Sequence, residues 1–168
     1  MKYSKEHLIE GPMEMVIEVG LDRTRDVKVY PNITRTTVKS REVKGDIIEV
    51  VVETLANGDI PPALRKVLSE KMLTWTEYGR MDMKNKFYEY KVKPFYFSEM
   101  CKISGKISYR EPEPGKTIRR IDANVEIKLP IIGGIAEKKI SEVQLENLDK
   151  DVKAMREEVA EMLARGGK

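Results

Sequence analysis

His7 and Cys101 are the only histidine and the only cysteine in this chain of 168 residues, so acid–base or nucleophilic chemistry is sought there first. A catalytic histidine needs an acid or a substrate proton within hydrogen-bonding reach, and the sequence around His7 offers no such partner. Cys101 shares the apolar side of a predicted strand with Ile103, whereas a reactive thiolate needs a positive, partly open setting. We therefore interpret His7 as a surface or strand-packing residue and Cys101 as a small buried hydrophobe.

The densest group of side chains suited to binding lies in one aromatic and methionine-rich span. It contains Trp75, Tyr78, Met81, Met83, Phe87, Tyr88, Tyr90, Phe95, Tyr96 and Phe97. Methionine packs against varied shapes, and Met155 and Met162 of the last predicted helix can face the same space. Two interpretations stay open: these residues line an apolar cavity for a small molecule, or they form an ordinary core.

A basic stretch is the one feature that suggests a charged partner. It contains Arg23, Arg25, Lys28, Arg35, Lys39, Arg41 and Lys44. Arg35, Lys39 and Arg41 share parity on one predicted strand, so we expect them to form a stripe. We interpret this stripe as a solvated strand face, with attraction to an anionic lipid surface as the alternative. No aromatic residues for base stacking are interleaved, so nucleic acid is not an expected partner.

Composition narrows the class of protein further. The net charge is +3, with 40% apolar and 35% charged residues, which predicts one soluble globular domain over residues 1–168. A single cysteine and a single histidine exclude the usual structural zinc sites and suit a reducing, cytoplasmic location. No apolar run approaches the roughly 20 residues that span a bilayer, so stable membrane insertion is not expected. Nucleotide-binding, zinc-protease and serine-hydrolase motifs are absent, so no cofactor is predicted.

The hydrophobic periodicity predicts a largely antiparallel protein. The predicted strands are Tyr3–Glu10, Ile33–Val43, Ile47–Leu55, Leu73–Met83, Phe87–Val92, Met100–Arg110 and Thr117–Leu129. The last two alternate cleanly between apolar and polar residues, as strands covered on one side do, and a turn is predicted at Glu111–Gly115. Short helical segments are predicted at Met13–Leu21, at Asp22–Tyr30 and after Pro61-Pro62, with Leu64, Val67 and Leu68 on one side.

The last helix, predicted from Ile131 to Ala164, carries two apolar stripes. The later stripe is Leu145, Leu148, Val152, Met155, Val159 and Met162, and the earlier one is Ile132, Ala136, Ile140 and Val143. At about 100° per residue the two stripes point in different directions. Either the helix bends near Gln144, or its first half covers a second surface. Gly133 and Gly134 would let the first turn pass close to backbone.

Four segments carry a resemblance to a known superfamily: LIEGPMEMVIEVGLD (8–22), VYPNITR (29–35), DIPPALRKVL (59–68) and VEIKLPIIGGIAEKK (125–139). Together with the order of elements, they resemble START-related helix-grip proteins, which include the birch-pollen allergen, polyketide cyclases and lipid-transport proteins. The nearest likeness is to a branch described only as a domain of unknown function. The resemblance implies an α+β fold in which a curved antiparallel sheet of six to seven strands wraps around a long C-terminal helix.

The resemblance also implies a cavity between the sheet and the C-terminal helix. The leading interpretation is binding or transport of a hydrophobic small molecule or lipid there, with Tyr88 or Tyr109 fixing its orientation. The alternatives are a cyclase- or hydratase-type enzyme using the same cavity, and a protein-interaction module whose cavity is filled by side chains. The predicted cavity residues are Trp75, Met81, Met83, Tyr88, Tyr90, Ile103, Ile107, Tyr109, Val125, Ile127, Ile132, Ala136, Ile140, Leu148, Val152 and Met155.

Overall fold

The computed structural model describes residues 1–57, Pro62 and residues 73–166. Over these residues the chain forms seven strands and three helices, together with two 3-10 turns, Arg23–Arg25 and Ser98–Met100. In chain order the elements are β1 (Lys2–Glu10), α1 (Met13–Leu21), α2 (Asp26–Val29), β2 (Ile33–Lys44), β3 (Ile47–Ala56), β4 (Thr74–Asp82), β5 (Phe87–Pro94), β6 (Cys101–Glu113), β7 (Lys116–Ile127) and α3 (Gly133–Ala164). The helical segment predicted after Pro61, with Leu64, Val67 and Leu68, lies outside the described residues.

The strands form one antiparallel sheet in the order β1-β7-β6-β5-β4-β3-β2. The first strand therefore pairs with the last one, and every other neighbour follows its partner along the chain. α3 packs on the β1–β7 side of the sheet and against α1 and α2. The predicted architecture, a sheet of six to seven strands around a long C-terminal helix with two short helices after the first strand, is confirmed, and the sheet has seven strands.

The turn between β6 and β7 is shorter than predicted. β6 continues through Pro112 to Glu113, and the sheet register shifts between Arg110 and Glu113. Proline lacks the N–H that a regular ladder needs, and an irregularity of this kind is where a strand accommodates it. The segment Glu111–Gly115 therefore makes the pairing of β6 with β7 irregular, and the chain reverses only at Pro114-Gly115.

A register shift in β2 overturns the predicted basic stripe. The pairing slips between Val38 and Ser40, so that Arg35 lies opposite Leu55 while Arg41 lies opposite Val50. Directly opposed residues share a face of the sheet, and Leu55 and Val50 have opposite parity on β3. The extra residue puts Arg35 and Arg41 on opposite faces, and the prediction of one stripe is wrong.

The corner between β7 and α3 is close-packed at only one of its two glycines. A Cβ atom at Gly133 would collide with the carbonyl oxygen of Ile127, whereas a Cβ atom at Gly134 would meet nothing within 4 Å. The absence of a side chain at Gly133 therefore lets the first turn of α3 lie against the backbone of β7. Within the described residues, no helix is long and apolar enough to cross a membrane.

Candidate functional site

The side of the sheet that faces α3, called here the inner face, holds the candidate site. Alternate residues of each strand point towards it, and these include the predicted cavity residues of β4, β5, β6 and β7. Met81, Tyr88, Ile103, Ile107, Tyr109, Val125, Ile127, Ala136, Leu148, Val152 and Met155 are buried, and Trp75, Met83, Tyr90, Ile132 and Ile140 are half-buried. None of the predicted residues is exposed.

These residues form two apolar groups. The first contains Met81, Tyr88, Ile107, Tyr109, Leu148 and Met155, with Met83 and Tyr90 at its edge. The second contains Ile103, Val125, Ile127 and Ala136, with Ile132 and Ile140 at its edge. Trp75 and Val152 belong to neither group. The strand and helix periods predict that one set of residues is buried together. All of them are buried, but they do not form a single cluster: Val50, Val52, Ile103, Ile107, Val125, Ile127, Val152, Met155 and Val159.

The two groups explain the two stripes on α3. The earlier stripe packs on the second group through Ile132, Ala136 and Ile140, and the later one packs on the first group. Tyr3 contacts both groups, and its hydroxyl donates to Oε1 of Gln144 at 2.6 Å, at the boundary of the stripes. The first half of the helix thus covers a second surface, which was one of the two alternatives left open.

Two tyrosines of β5 lie flat on the inner face. A Cβ atom at Gly79 would collide with the hydroxyl of Tyr88, and one at Gly105 would collide with the hydroxyl of Tyr90. Aromatic rings cover sheet glycines in this way because glycine leaves room directly above the backbone. The two rings are stacked, with centroids 6.2 Å apart. The two rings therefore lie along the sheet and do not extend from the sheet to the helix. We call Tyr88 and Tyr90 the aromatic floor.

A buried ion-pair network stands at one end of this floor, and sequence reasoning missed it. Nη2 of Arg119 in β7 lies 3.1 Å from Oδ2 of Asp151 in α3, and Nη1 of Arg25 lies 2.5 Å from Oδ1 of the same carboxylate. Nε of Arg25 is also 2.8 Å from Oε2 of Glu158. Arg119 has the same parity on β7 as the buried Ile121. The alternation of this strand could therefore have predicted that its side chain points to the inner face.

A second network lies beside the aromatic floor. Arg23 donates from Nη1 to Oε1 of Glu77 at 2.7 Å and from Nε to Oδ2 of Asp26 at 2.8 Å. The hydroxyl of Tyr88 donates to the same Glu77 oxygen at 2.6 Å. Arg23 and Arg25 were predicted to belong to a basic, solvated stretch. The chain between α1 and α2 turns them inward, where each has a carboxylate partner.

Burial sets the protonation of the tyrosines on the inner face and of Tyr30, which follows α2. It raises the pKa of Tyr3 to about 12, and it also raises the pKa of Tyr30, Tyr88, Tyr90 and Tyr109 above that of an exposed phenol. The positive charge of Arg119 opposes the rise in the pKa of Tyr109 without overcoming it. At neutral pH these groups are hydroxyls, able to donate hydrogen bonds.

His7 and Cys101 occupy the positions expected of packing residues. His7 faces Arg119 across the β1–β7 ladder, and its Nε2 is 3.7 Å from Oδ1 of Asp149. Burial, together with the positive charges of Arg119 and Lys5, lowers the pKa of His7. Cys101 is half-buried against the second apolar group, and burial raises the pKa of its thiol. Among the described residues, no group of acidic, histidine and cysteine side chains could hold a metal ion.

Several buried nitrogen atoms next to this network have no hydrogen-bond partner among the described residues. They are Nε and Nη1 of Arg119, Nη2 of Arg25 and Nε2 of His7. A buried donor without an acceptor costs free energy unless a water molecule or a ligand oxygen satisfies it. The arrangement can therefore stabilise an oxygen-bearing group at the arginine end of the inner face.

The opposite, outer face of the sheet has a different character. A groove of about 680 Å³ crosses five strands there, and most of its side chains point outward and are charged or polar, including Arg80, Lys91, Lys106 and Asp122. Of the predicted cavity residues, only Tyr90 borders this groove. The groove is therefore distinct from the predicted apolar site.

Solved structures share this architecture. TTHA0849 from Thermus thermophilus is 19% identical, with 95% of this chain and 97% of that chain covered and a TM-score of 0.67. Zhui aromatase/cyclase from Streptomyces sp. R1128 is 15% identical, with coverages of 97% and 95% and a TM-score of 0.68. A START superfamily protein from Mycobacterium smegmatis is 17% identical, with coverages of 96% and 98% and a TM-score of 0.59. At these identities the likeness shows the fold alone.

The family comparison covers most of the chain. The model of the family described as "Protein of unknown function (DUF2505)" matches residues 9–159. No curated protein matches. The matched segment runs from β1 to the last turns of α3 and so includes the inner face and the buried ion pairs. The chain therefore belongs to the DUF2505 family and has a START-like helix-grip fold.

Proposed function

We propose that this protein binds or carries a hydrophobic small molecule or lipid between the inner face of the sheet and α3. One observation carries the proposal: a flat aromatic floor lies next to buried arginine nitrogens that have no acceptor among the described residues. An amphipathic molecule matches both parts, because its apolar body suits the floor and its oxygen atoms suit the donors. The single cysteine supports a cytoplasmic setting for this activity.

Apolar burial would supply most of the affinity. Each Å² of apolar surface removed from water contributes roughly 25 cal/mol, so a ligand the size of a lipid chain gains enough to bind without many polar contacts. Trp75 and Tyr90 are the half-buried aromatic residues that an apolar body would cover. Tyr109, beside Arg119, is better placed than Tyr88 to orient a polar end, since Tyr88 already donates to Glu77.

Native mass spectrometry of protein purified from its own cells tests the proposal. We expect a bound mass that organic solvent extracts, and rebinding from a panel of fatty acids, sterols and polyketides. Tyr90→Trp, which enlarges a ring on the floor, should weaken rebinding, whereas the same change at Tyr78, on the outward parity of β4, should leave it intact. An empty chain that binds no panel member and no hydrophobic dye would favour the interaction module with a filled interior.

A cyclase- or hydratase-type enzyme is the second candidate function, and one observation supports it. Such an enzyme needs an ionisable group facing the ligand, and Glu77 lies on the inner face with Arg23 and Tyr88 as partners. Glu77→Gln and Tyr88→Phe should then abolish turnover of a poly-β-carbonyl or enoyl test substrate while binding persists. Conversion at the uncatalysed rate by the unmodified protein would remove this candidate and leave the carrier.

A further inference from the structure

The groove on the outer face of the sheet is a second place where this protein can hold a ligand. Its volume of about 680 Å³ lies within the range of pockets that bind one small molecule. Its lining comes from five neighbouring strands, β1, β7, β6, β5 and β4, so four spacings of about 4.8 Å make it about 19 Å long. The groove and the inner face lie on opposite sides of the sheet, so the proposed function makes no use of it.

Short polar side chains form the bottom of the groove. Ser104 in β6 is directly opposite Asn124 in β7, and Ser4 in β1 is directly opposite Asp122 in β7. Three of these residues are half-buried, whereas the longer side chains on either side of them are exposed. A row of short side chains between long ones leaves a depression on a pleated surface. The bottom of the groove therefore offers hydroxyl and amide groups to a polar ligand.

The walls of the groove carry an excess of positive charge. Its four cations are Lys2, Arg80, Lys91 and Lys106, and none of them is paired with a carboxylate among the described residues. The groove also contains two carboxylates, those of Asp122 and Glu89. Asp122 is already paired with Arg120, which lies outside the groove, at 3.0 Å. Glu89 is therefore the one groove carboxylate left to oppose four cations, and the groove attracts anions.

Glu89 lies among three of these cations. It is directly opposite Arg80 in β4 and Lys106 in β6, and it precedes Lys91 by two residues on the same face of β5. One carboxylate cannot neutralise three neighbouring cations, but it repels an anion placed directly above it. A ligand whose negative charge is spread over several groups can reach the cations on both sides of Glu89. Such a polyanion suits the groove better than a single carboxylate does.

An exposed aromatic ring lies at the β4 end of the groove. Tyr78 is 50% exposed and directly opposite Lys91 in β5. An exposed ring of this kind can stack with a flat aromatic group, and stacking of bases on aromatic side chains tolerates any base because every base has a π-face. A base stacked on Tyr78 would direct the groups attached to it towards Lys91 and the cations beyond it. The groove therefore matches a molecule with a flat ring at one end and several negative charges at the other.

We propose that the outer groove binds a nucleoside polyphosphate, with its base against Tyr78 and its phosphates along Lys91, Arg80 and Lys106. The sequence contains no glycine-rich phosphate loop, so side chains supply the contacts and salt weakens them. An acidic protein partner fits less well, because three of the four cations are lysines and protein interfaces are depleted in lysine. Binding in the groove is separate from binding at the inner face, so either activity can fail without the other.

Isothermal titration calorimetry with ATP, tripolyphosphate and adenosine tests the proposal. At low salt ATP should bind more tightly than either of its two fragments, and raising the salt to about 0.5 M should weaken its binding. Tyr78→Ser should weaken ATP binding about tenfold, because it removes the stacking surface for the base. The same variant should bind tripolyphosphate as the unmodified protein does, since tripolyphosphate has no base to stack.

Two charge variants should change ATP affinity in opposite directions. Lys91→Gln should weaken binding about fivefold and Glu89→Gln should strengthen it about fivefold, because each alters by one the charge that faces the phosphates. Arg110→Gln is the matched control, since Arg110 lies on the same face of β6 but does not line the groove, and its affinity should be unchanged. A gain of affinity in Glu89→Gln cannot result from misfolding.

Four results would overturn the proposal. The first is an unmodified protein that does not bind ATP at low salt. The second is equal affinity for ATP and tripolyphosphate, which would show a patch that attracts any polyanion. The third is unchanged ATP affinity in both Lys91→Gln and Glu89→Gln, with the circular dichroism of both variants unchanged. The fourth is a single-stranded RNA hexamer that binds far more tightly than ATP and depends on Tyr78 and Lys91, which would assign the groove to a polymer.

Discussion

Arg119 in β7 and Asp151 in α3 form an ion pair inside the protein, with Nη2 and Oδ2 3.1 Å apart and both residues buried. The pair joins the sheet to the last helix at the arginine end of the inner face. Arg25 shares the same carboxylate, so one acid holds two cations from two different parts of the chain. The position of α3 over the sheet thus depends on charge as well as on apolar contact.

Asp151→Asn should destabilise the fold by about 3–5 kcal/mol, because it leaves two arginines without their shared counter-charge. Urea unfolding followed by circular dichroism measures the change. Asp149→Asn is the matched control on the same helix: that carboxylate is exposed, so its ion pair with Lys5 is screened by solvent and little change is expected. Equal unfolding curves for the two variants would contradict a structural role for the buried pair.

Val152→Asp should destabilise the fold by several kcal/mol, because Val152 is buried in the later stripe and the new charge has no partner there. Lys153→Asp, one position along on the exposed side of α3, provides the comparison. Thermal melting of both variants is the measurement. An unchanged melting curve for Val152→Asp would show that this face of the helix does not meet the sheet.

The two corner glycines should respond in opposite directions to alanine. Gly133→Ala should be destabilising, since its Cβ would collide with the carbonyl oxygen of Ile127 and the backbone would have to shift. Gly134→Ala should be neutral or stabilising by roughly 0.5–1 kcal/mol, because alanine is the better helix former and the site is open. The sign of each change in unfolding free energy decides the matter, and a stable Gly133→Ala variant would contradict the close approach.

Acidification should destabilise the protein through His7. Burial and two nearby cations lower its pKa below the ordinary value of 6.5, so the unfolded chain binds a proton that the folded one resists. The stability contributed by neutral His7 is therefore present above pH 6.5 and lost as the pH falls towards the folded pKa. His7→Gln should flatten the stability profile in that window. A variant with the same pH dependence as the unmodified protein would exclude His7 as the cause.

The first half of α3 should open more readily than the second, and it would gate the proposed cavity beside the 94–97 connection. The sequence also suggested α1 as a partner of this gate, but α1 lies against Met155 in the second half of the helix. The second half is tied down by the pair of Arg25 with Glu158 and by Arg156, which donates to the carbonyl of Leu8. Amides from Ile132 to Val143 should exchange with deuterium faster than those from Leu148 to Val159, and should slow when ligand binds. Equal protection of the amides along α3 would show that the helix is rigid over its whole length and would contradict gating.

Much of the framework follows from local patterns. Alternation in β6 and β7 predicted their inner and outer residues, and the spacing of Leu148, Val152 and Met155 predicted the buried side of α3. These predictions succeed because strand and helix periods are properties of the backbone and impose the same apolar spacing in any protein. The resemblance of four segments to helix-grip proteins supplied the order in which the elements assemble.

The partners of the buried charged residues could be identified only from the tertiary structure. Nothing near Arg25 or Arg119 in the chain identifies Asp151, because an ion pair depends on which elements meet and not on sequence spacing. One extra residue in β2 separated Arg35 from Arg41, a change that composition cannot reveal. Periodicity is local and can be read from the chain, whereas long-range pairing is a property of the assembled fold.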